Sequence, residues 1–177
     1  MNAFLRMTAM AAVAASALAA VPASAAGVGP TDRNATATAR IVKPLKLEWK
    51  QDLNLGTILL SGAGTWTGAT VAISRTGTFA CTNTNVTCDG ATTASVAKYT
   101  VTGTNNQNVT VTAPNVTLKN QNDLTKTLLL TVDNPGTVAL GNSGSTGTEF
   151  SLGGSITVAS DTTDGVYLGT FNVTVDY

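Results

Sequence analysis

The most reactive side chains in this sequence are two thiols, Cys81 and Cys88, in the run Cys-Thr-Asn-Thr-Asn-Val-Thr-Cys. Such a pair can form a disulfide or supply half of a metal site. The chain has no histidine, so the usual four-ligand zinc set cannot be completed from Cys and His. An even cysteine count in an exported chain favours a disulfide, which the short spacing places at a hairpin tip. The missing histidine also removes the commonest general base and excludes Ser-His-Asp and Cys-His catalysis. Glu48 and Glu149 remain as a conceivable glycosidase-type carboxylate pair. Most aspartates fall in turn contexts (Asp89-Gly90, Asp133-Asn134, Asp161, Asp164-Gly165), where their side chains serve the backbone. The expectation is no catalytic residue, no metal ligand and no cofactor.

Other polar runs are equally bland. Asp161-Thr-Thr-Asp164-Gly165 lacks the further acidic ligands of a calcium loop. The glycine-rich stretch from Gly141 to Gly147 has no lysine and no strand-to-helix context for cradling phosphate. Asn-x-Thr triplets are a chance product of a chain rich in both residues. Trp49 and Trp66 would be carbohydrate platforms if exposed, and packing residues otherwise.

The start of the chain predicts export. Arg6, an apolar run from Ala9 to Val21 and the small-x-small site Ala23-Ser24-Ala25 have the form of a secretory signal peptide. Cleavage is expected between Ala25 and Ala26. The apolar run is too short to span a bilayer, and no later segment approaches that length. The expected organisation is a signal over residues 1–25, a polar extension over 26–33 and one domain over 34–177. Of ten basic and ten acidic residues, removing Arg6 leaves nine against ten. A near-neutral chain of this kind offers no basic patch to nucleic acid or an anionic membrane. The expected location is the periplasm, the cell surface or the extracellular space.

Hydrophobic periodicity then decides the fold class. From residue 35 onward almost every segment alternates, and none shows the 3.6-residue period of an amphipathic helix. Ala35, Ala37, Ala39, Ile41, Lys43, Leu45, Leu47 and Trp49 share odd positions, an apolar face broken only by Lys43, which predicts a long first strand bent or placed at an edge by Pro44. Leu53, Leu55 and Ile58 flank Gly56 in a short second strand. Further short strands follow, separated by Gly, Asn, Asp and Pro, with a penultimate one through Phe150, Leu152, Ile156 and Val158. From Gly165 to Tyr177 the odd positions hold Tyr167, Phe171, Val173, Val175 and Tyr177, a strand with one buried face. Many short strands with turn signals between them predict an all-β chain, an antiparallel β-sandwich of immunoglobulin-like arrangement.

Three pieces carry a resemblance: Ala35-Thr-Ala-Thr-Ala-Arg-Ile-Val-Lys-Pro-Leu45, Asp52-Leu-Asn-Leu-Gly-Thr-Ile58, and the run from Gly165 to Tyr177. Together with the signal peptide they resemble a family of small exported bacterial proteins known as a domain of unknown function. More distantly the layout is similar to spore coat protein U and the archaic chaperone–usher pilins. That resemblance implies an incomplete, pilin-like sandwich whose gap is filled by a neighbour's N-terminal strand. Ala35, Ala37, Ala39 and Ile41 would be the donor face. The groove would be walled by the Gly165–Tyr177 strand and the one from Phe150 to Val158. Implied partners are copies of the chain or related subunits, and a periplasmic chaperone and usher. Two alternatives stand beside it. The first strand could pair within its own molecule, or the protein could be a secreted monomer binding polysaccharide or another surface ligand.

Overall fold

A computed structural model describes residues 35–141 and 146–177. The expected signal peptide, its Ala25/Ala26 cleavage site and the 26–33 extension lie outside the described residues. The first strands are β1 (Lys46–Gln51), β2 (Ile58–Leu60), β3 (Ala69–Ile73), β4 (Phe79–Cys81) and β5 (Val86–Cys88). A single helical turn, α1 (Gly90–Thr93), leads into β6 (Ala97–Thr102), β7 (Gln107–Thr112), β8 (Val116–Asn120) and β9 (Thr127–Asp133). The last four are β10 (Thr137–Leu140), β11 (Thr148–Val158), β12 (Tyr167–Leu168) and β13 (Thr174–Asp176). Every pairing among them is antiparallel. The chain is an all-β antiparallel sandwich, as its alternation predicts.

The larger sheet runs β1-β6-β11-β9-β8-β12, with β3 and β4 joined to it through β11. A second sheet, β10-β7-β13, and a two-stranded ladder, β2-β5, complete the architecture. Period-two sequence gives period-two burial: Val109 and Val111 of β7 are buried while Asn108, Thr110 and Thr112 are exposed. These valines and Leu140 of β10 meet Val101, Phe150 and Leu152 of the larger sheet in one core. Fully burying side chains of this size contributes about 1.5–3 kcal/mol each. Tyr99 and Phe150 stack across the β6–β11 ladder with ring centroids 5.7 Å apart.

β11 organises the larger sheet. Thr148–Leu152 pairs with β6, and Gly154–Val158 pairs with β3. On the opposite edge Gly153–Ser155 pairs with β9. The handover from β6 to β3 falls at Gly153, where a β-carbon would stand 2.3 Å from the Ile73 carbonyl oxygen.

Both expected terminal strands are shorter than their alternation suggests. Residues 35–45 carry no strand and all but Leu45 are exposed; the first ladder begins at Lys46. The ladders belong to a unit spanning Arg40–Tyr177, and residues 35–39 fall in a separate one. Within the larger unit, Lys43 N donates to Thr104 Oγ1 at 2.6 Å, and the Tyr177 hydroxyl donates to the Lys43 carbonyl at 2.6 Å. Arg40 reaches the side-chain oxygen of Gln107. The Gly165–Tyr177 stretch is two strands in different sheets, β12 on β8 and β13 on β7. Its alternation still governs burial: Tyr167, Phe171, Val173 and Val175 are half-buried, and the even residues between them are exposed.

Cys81 and Cys88 are joined as a disulfide with Cα atoms 6.4 Å apart. They do not cap a hairpin, because β4 pairs with β3 whereas β5 pairs with β2. The bond therefore staples the β2–β5 ladder to the larger sheet. Closing so short a loop stabilises by about 2 kcal/mol. The double substitution C81S/C88S should lower unfolding free energy by about that amount. Alkylation of the unreduced wild type should find both sulfurs blocked, and two modified cysteines would refute the pairing.

Candidate functional site: an apolar groove

The site is built from two walls and a floor. One wall is the segment from Asp52 to Leu60, which contributes Leu53, Leu55, Ile58 and Leu60. The opposite wall is the segment from Thr162 to Phe171, with Tyr167 and Phe171 turned inward. Leu118, Leu128 and Leu130 form the floor with Ile156 and Val158 of β11. The volume enclosed is about 920 Å³. Large apolar side chains are also exposed on both rims: Leu59 is 68% exposed, Val166 61% and Leu168 57%.

Local sequence explains why the walls stand where they do. Gly56, at φ +76°, lets the chain turn beneath α1; a β-carbon there would meet Thr93 Oγ1 at 2.6 Å. The Asp89 carboxylate accepts from Thr57 N at 2.6 Å and from the Thr93 hydroxyl at 2.9 Å, closing the β2–β5 end of the wall. The far wall hangs on Asn120, which is fully buried. Its amide donates to the Asp164 carbonyl at 2.8 Å and accepts from Asn122 N at 2.8 Å. Every polar atom of that side chain is thereby satisfied by backbone, as a buried amide requires. Gly169 lies so close to Leu118 and Val116 that a β-carbon would sit 2.8 Å from either. That contact presses the segment after β12 onto the floor.

Hydrogen bonds from Thr57 N and then Thr93 hold the Asp89 carboxyl below its ordinary value of 3.8. A group whose folded pKa is depressed stabilises above its unfolded pKa and loses that contribution as pH falls through the folded one. Amide protection of residues 57–60 should therefore be level from pH 8 to about 5 and fall once pH drops below about 4. In D89N that acid-dependent fall should largely disappear from these residues. An unchanged acid profile in D89N would sever the link. Lys46 and Lys50 hold Glu48 well below its ordinary value of 4.5, at about 2, so it too contributes stability that is lost in acid.

Two strand edges border the groove without a partner among the described residues. Among those residues β2 pairs only with β5, and β12, at the end of the larger sheet, pairs only with β8. Neither strand contains a charged residue. The edge strand β1 contrasts with both. It carries Lys46, Glu48 and Lys50, with the Glu48 carboxylate bridged to the two lysines at 2.6 and 2.9 Å. Charges on an edge strand deter pairing with another chain. One outer edge is thus blunted and the two groove edges are not.

The expected site residues divide. Tyr167 and Phe171 line the groove. Val173 and Val175 pack instead against the main core, and the Tyr177 hydroxyl accepts from Thr104 N at 2.7 Å. The wall opposite Tyr167 is the Asp52–Leu60 segment, and the Phe150–Val158 strand supplies floor rather than wall. Ala35, Ala37, Ala39 and Ile41 are exposed, Ile41 at 88%. Trp49 is 60% exposed and donates to Asp52 Oδ1 at 3.1 Å, whereas Trp66 is half-buried against the core. Glu48 and Glu149 face lysines. Sequence reading missed the leucine floor as a surface: alternation shows which residues of β8 and β9 point inward, but not that part of the face they reach is uncovered.

A family model for a domain of unknown function, DUF4402, matches residues 45–177. The chain belongs to the DUF4402 family. The match covers every strand of the sandwich and the whole groove, and begins just after the exposed Ala35–Pro44 segment. No curated protein and no solved structure matches this DUF4402 chain.

Proposed function

We propose that this protein is a structural, non-enzymatic exported subunit that assembles by donor-strand complementation, in the manner of the pilins its termini resemble. The observation that carries this reading is the leucine-floored groove lying between two uncharged, singly paired strand edges. Such a gap is completed by one added strand, whose backbone pairs with the open edges while alternate side chains fill the floor. The segment from Ala35 to Ile41 has the matching form: exposed, without a ladder of its own, and apolar at every second residue. Its root is anchored at Lys43, so one copy can hold its domain and reach into the next. An exported, disulfide-bonded subunit of this kind belongs at the cell surface, in the periplasm or outside the cell. Its partners are other copies or related subunits, with a chaperone and usher guarding the open groove before assembly.

Size-exclusion chromatography and electron microscopy of the mature protein test the reading. The intact chain should form concentration-dependent ladders or filaments. Deleting residues 34–42, which leaves the Lys43 anchor, should give a folded monomer that does not assemble. A mature protein that stays monomeric at high concentration and melts cooperatively without a chaperone would overturn the proposal; sugar affinity in that monomer would favour a binding module.

A further inference from the structure

An aromatic row crosses neighbouring strands at the far edge of the larger sheet. Trp49 of β1 pairs with Tyr99 of β6, and Tyr99 pairs with Phe150 of β11. Directly opposed residues share a face of a sheet, so these rings lie side by side on the core face. Their exposure rises outward. Phe150 is buried, Tyr99 is half-buried and stacked on Phe150, and Trp49, on the edge strand, is 60% exposed. The core face of the sheet therefore emerges into solvent at Trp49.

That indole is held in place. Its N–H donates to Asp52 Oδ1 at 3.1 Å, and the Asp52 carbonyl accepts from the Ser95 hydroxyl at 2.9 Å. Fixing a large exposed ring gives up rotamer freedom with little apolar burial in return. The same fixing favours binding, because the ring is ordered before a ligand arrives. Polar groups stand at the platform's edge. Asp52 is exposed, and its second carboxylate oxygen has no partner among the described residues. Burial, and then the Asp52 carboxylate, raise the pKa of the Tyr99 hydroxyl, so it keeps its proton at neutral pH.

Charge narrows the ligand. Lys46 and Lys50 are engaged by Glu48, and Lys98 by Glu149. Both glutamates pair with Thr100, which alternation places on the opposite face from Tyr99. The indole thus has a carboxylate beside it and no cation on its own face, a setting that repels acidic ligands. A cation cage surrounds its guest with rings, whereas here one Tyr99 face is covered by Phe150 and Trp49 offers a single flat platform. A pyranose with equatorial hydroxyls fits that shape. Its apolar C–H face lies on the indole while its hydroxyl rim donates to Asp52 and accepts from Tyr99.

We propose that Trp49, Asp52 and Tyr99 form a binding site for a neutral polysaccharide of glucose-type rings. The site stands independently of the donor-strand reading, since Trp49 and Tyr99 lie outside the groove lining. In an assembled fibre the repeated sites add avidity.

Calorimetric titration of the full mature chain with cellohexaose, a neutral oligomer of flat glucose rings, tests this. Wild type should bind with a Kd on the order of 1 mM or tighter. W49A should bind roughly tenfold or more weakly, W49F within a few-fold of wild type, and D52A and Y99F measurably more weakly. K46A, on the opposite face of β1, should bind like wild type. Because Trp49 is largely exposed, W49A should keep the wild-type melting temperature; if it does not, D52A and Y99F carry the same readout. No binding of cellohexaose by wild type, or unchanged affinity in the folded variants, overturns the site. Binding of tetramethylammonium through Trp49 with no response to the sugar overturns it equally, in favour of a cation. The outcome is separable from assembly. A W49A chain that assembles but has lost the sugar leaves both readings standing, whereas a wild type that binds the sugar yet stays monomeric keeps this site and overturns donor-strand assembly.

Discussion

Replacing Gly153 by alanine should remove a substantial part of this domain's stability. A β-carbon at that position would stand 2.3 Å from the Ile73 carbonyl oxygen, 2.5 Å from Arg75 N and 2.5 Å from the Ser74 carbonyl carbon. All three are backbone atoms at the end of β3, so no side chain can swing aside. Relief requires β3 to retreat from β11, which breaks the ladder that holds Val71 and Ile73 in the core. Overpacking a core costs about 1–3 kcal/mol, occasionally more, and a clash with backbone on every side belongs at the upper end, against the 5–15 kcal/mol typical of a whole domain. Urea melts under oxidising conditions would show the loss. Gly62 is the comparison, since nothing lies within 4 Å of its β-carbon position; G62A should shift stability by less than about 1 kcal/mol. A G153A protein as stable as G62A would mean that β11 does not make its handover there.

That glycine also shows where sequence reading stops. The alternation of Phe150, Leu152, Ile156 and Val158 reveals a strand with a buried face, and the structure has it as β11. It does not reveal that this strand serves three neighbours, because pairing partners are fixed by contacts between residues far apart in the chain. The same limit applies to Cys81 and Cys88. Their types and parity point to a bond, but the spacing measures only the loop between them, and the strands they join pair with β3 and β2 instead of each other. At the C-terminal end the odd residues Tyr167 to Val175 sit inward as read. The ladder nevertheless changes sheets between Leu168 and Thr174, at the place where Gly169 is pressed against Leu118. The groove was half legible. Tyr167 and Phe171 follow from periodicity, while Leu118, Leu128 and Leu130 look like ordinary core until the structure shows them lining a groove among the described residues. The exposed arm was the converse case: Ala35 to Ile41 alternates like a strand, but has no ladder among the described residues of its own chain.

That unpaired alternation makes the second large prediction sharp. A37D should abolish assembly while leaving the domain's melting temperature unchanged. In the donor-strand reading the odd face of the arm enters a groove floored by leucines, and a carboxylate there has neither water nor a partner. Burying an unpaired charge costs several kcal/mol, and each 1.4 kcal/mol weakens association tenfold, so the loss should be a hundredfold or more by this arithmetic. I41D should behave alike, since Ile41 is the bulkiest apolar residue on that face and is 88% exposed before assembly. T36D and T38D place the same charge on the opposite face, which stays in water, and should assemble within a few-fold of wild type. Sedimentation of the four variants, with melts recorded in parallel, separates the outcomes. If A37D and I41D unfold the monomer, the strand is internal and the groove is filled from within. If all four variants assemble equally, neither face of the arm is buried. Loss confined to Ala37 and Ile41, at full monomer stability, is the result that only a strand passed between copies gives.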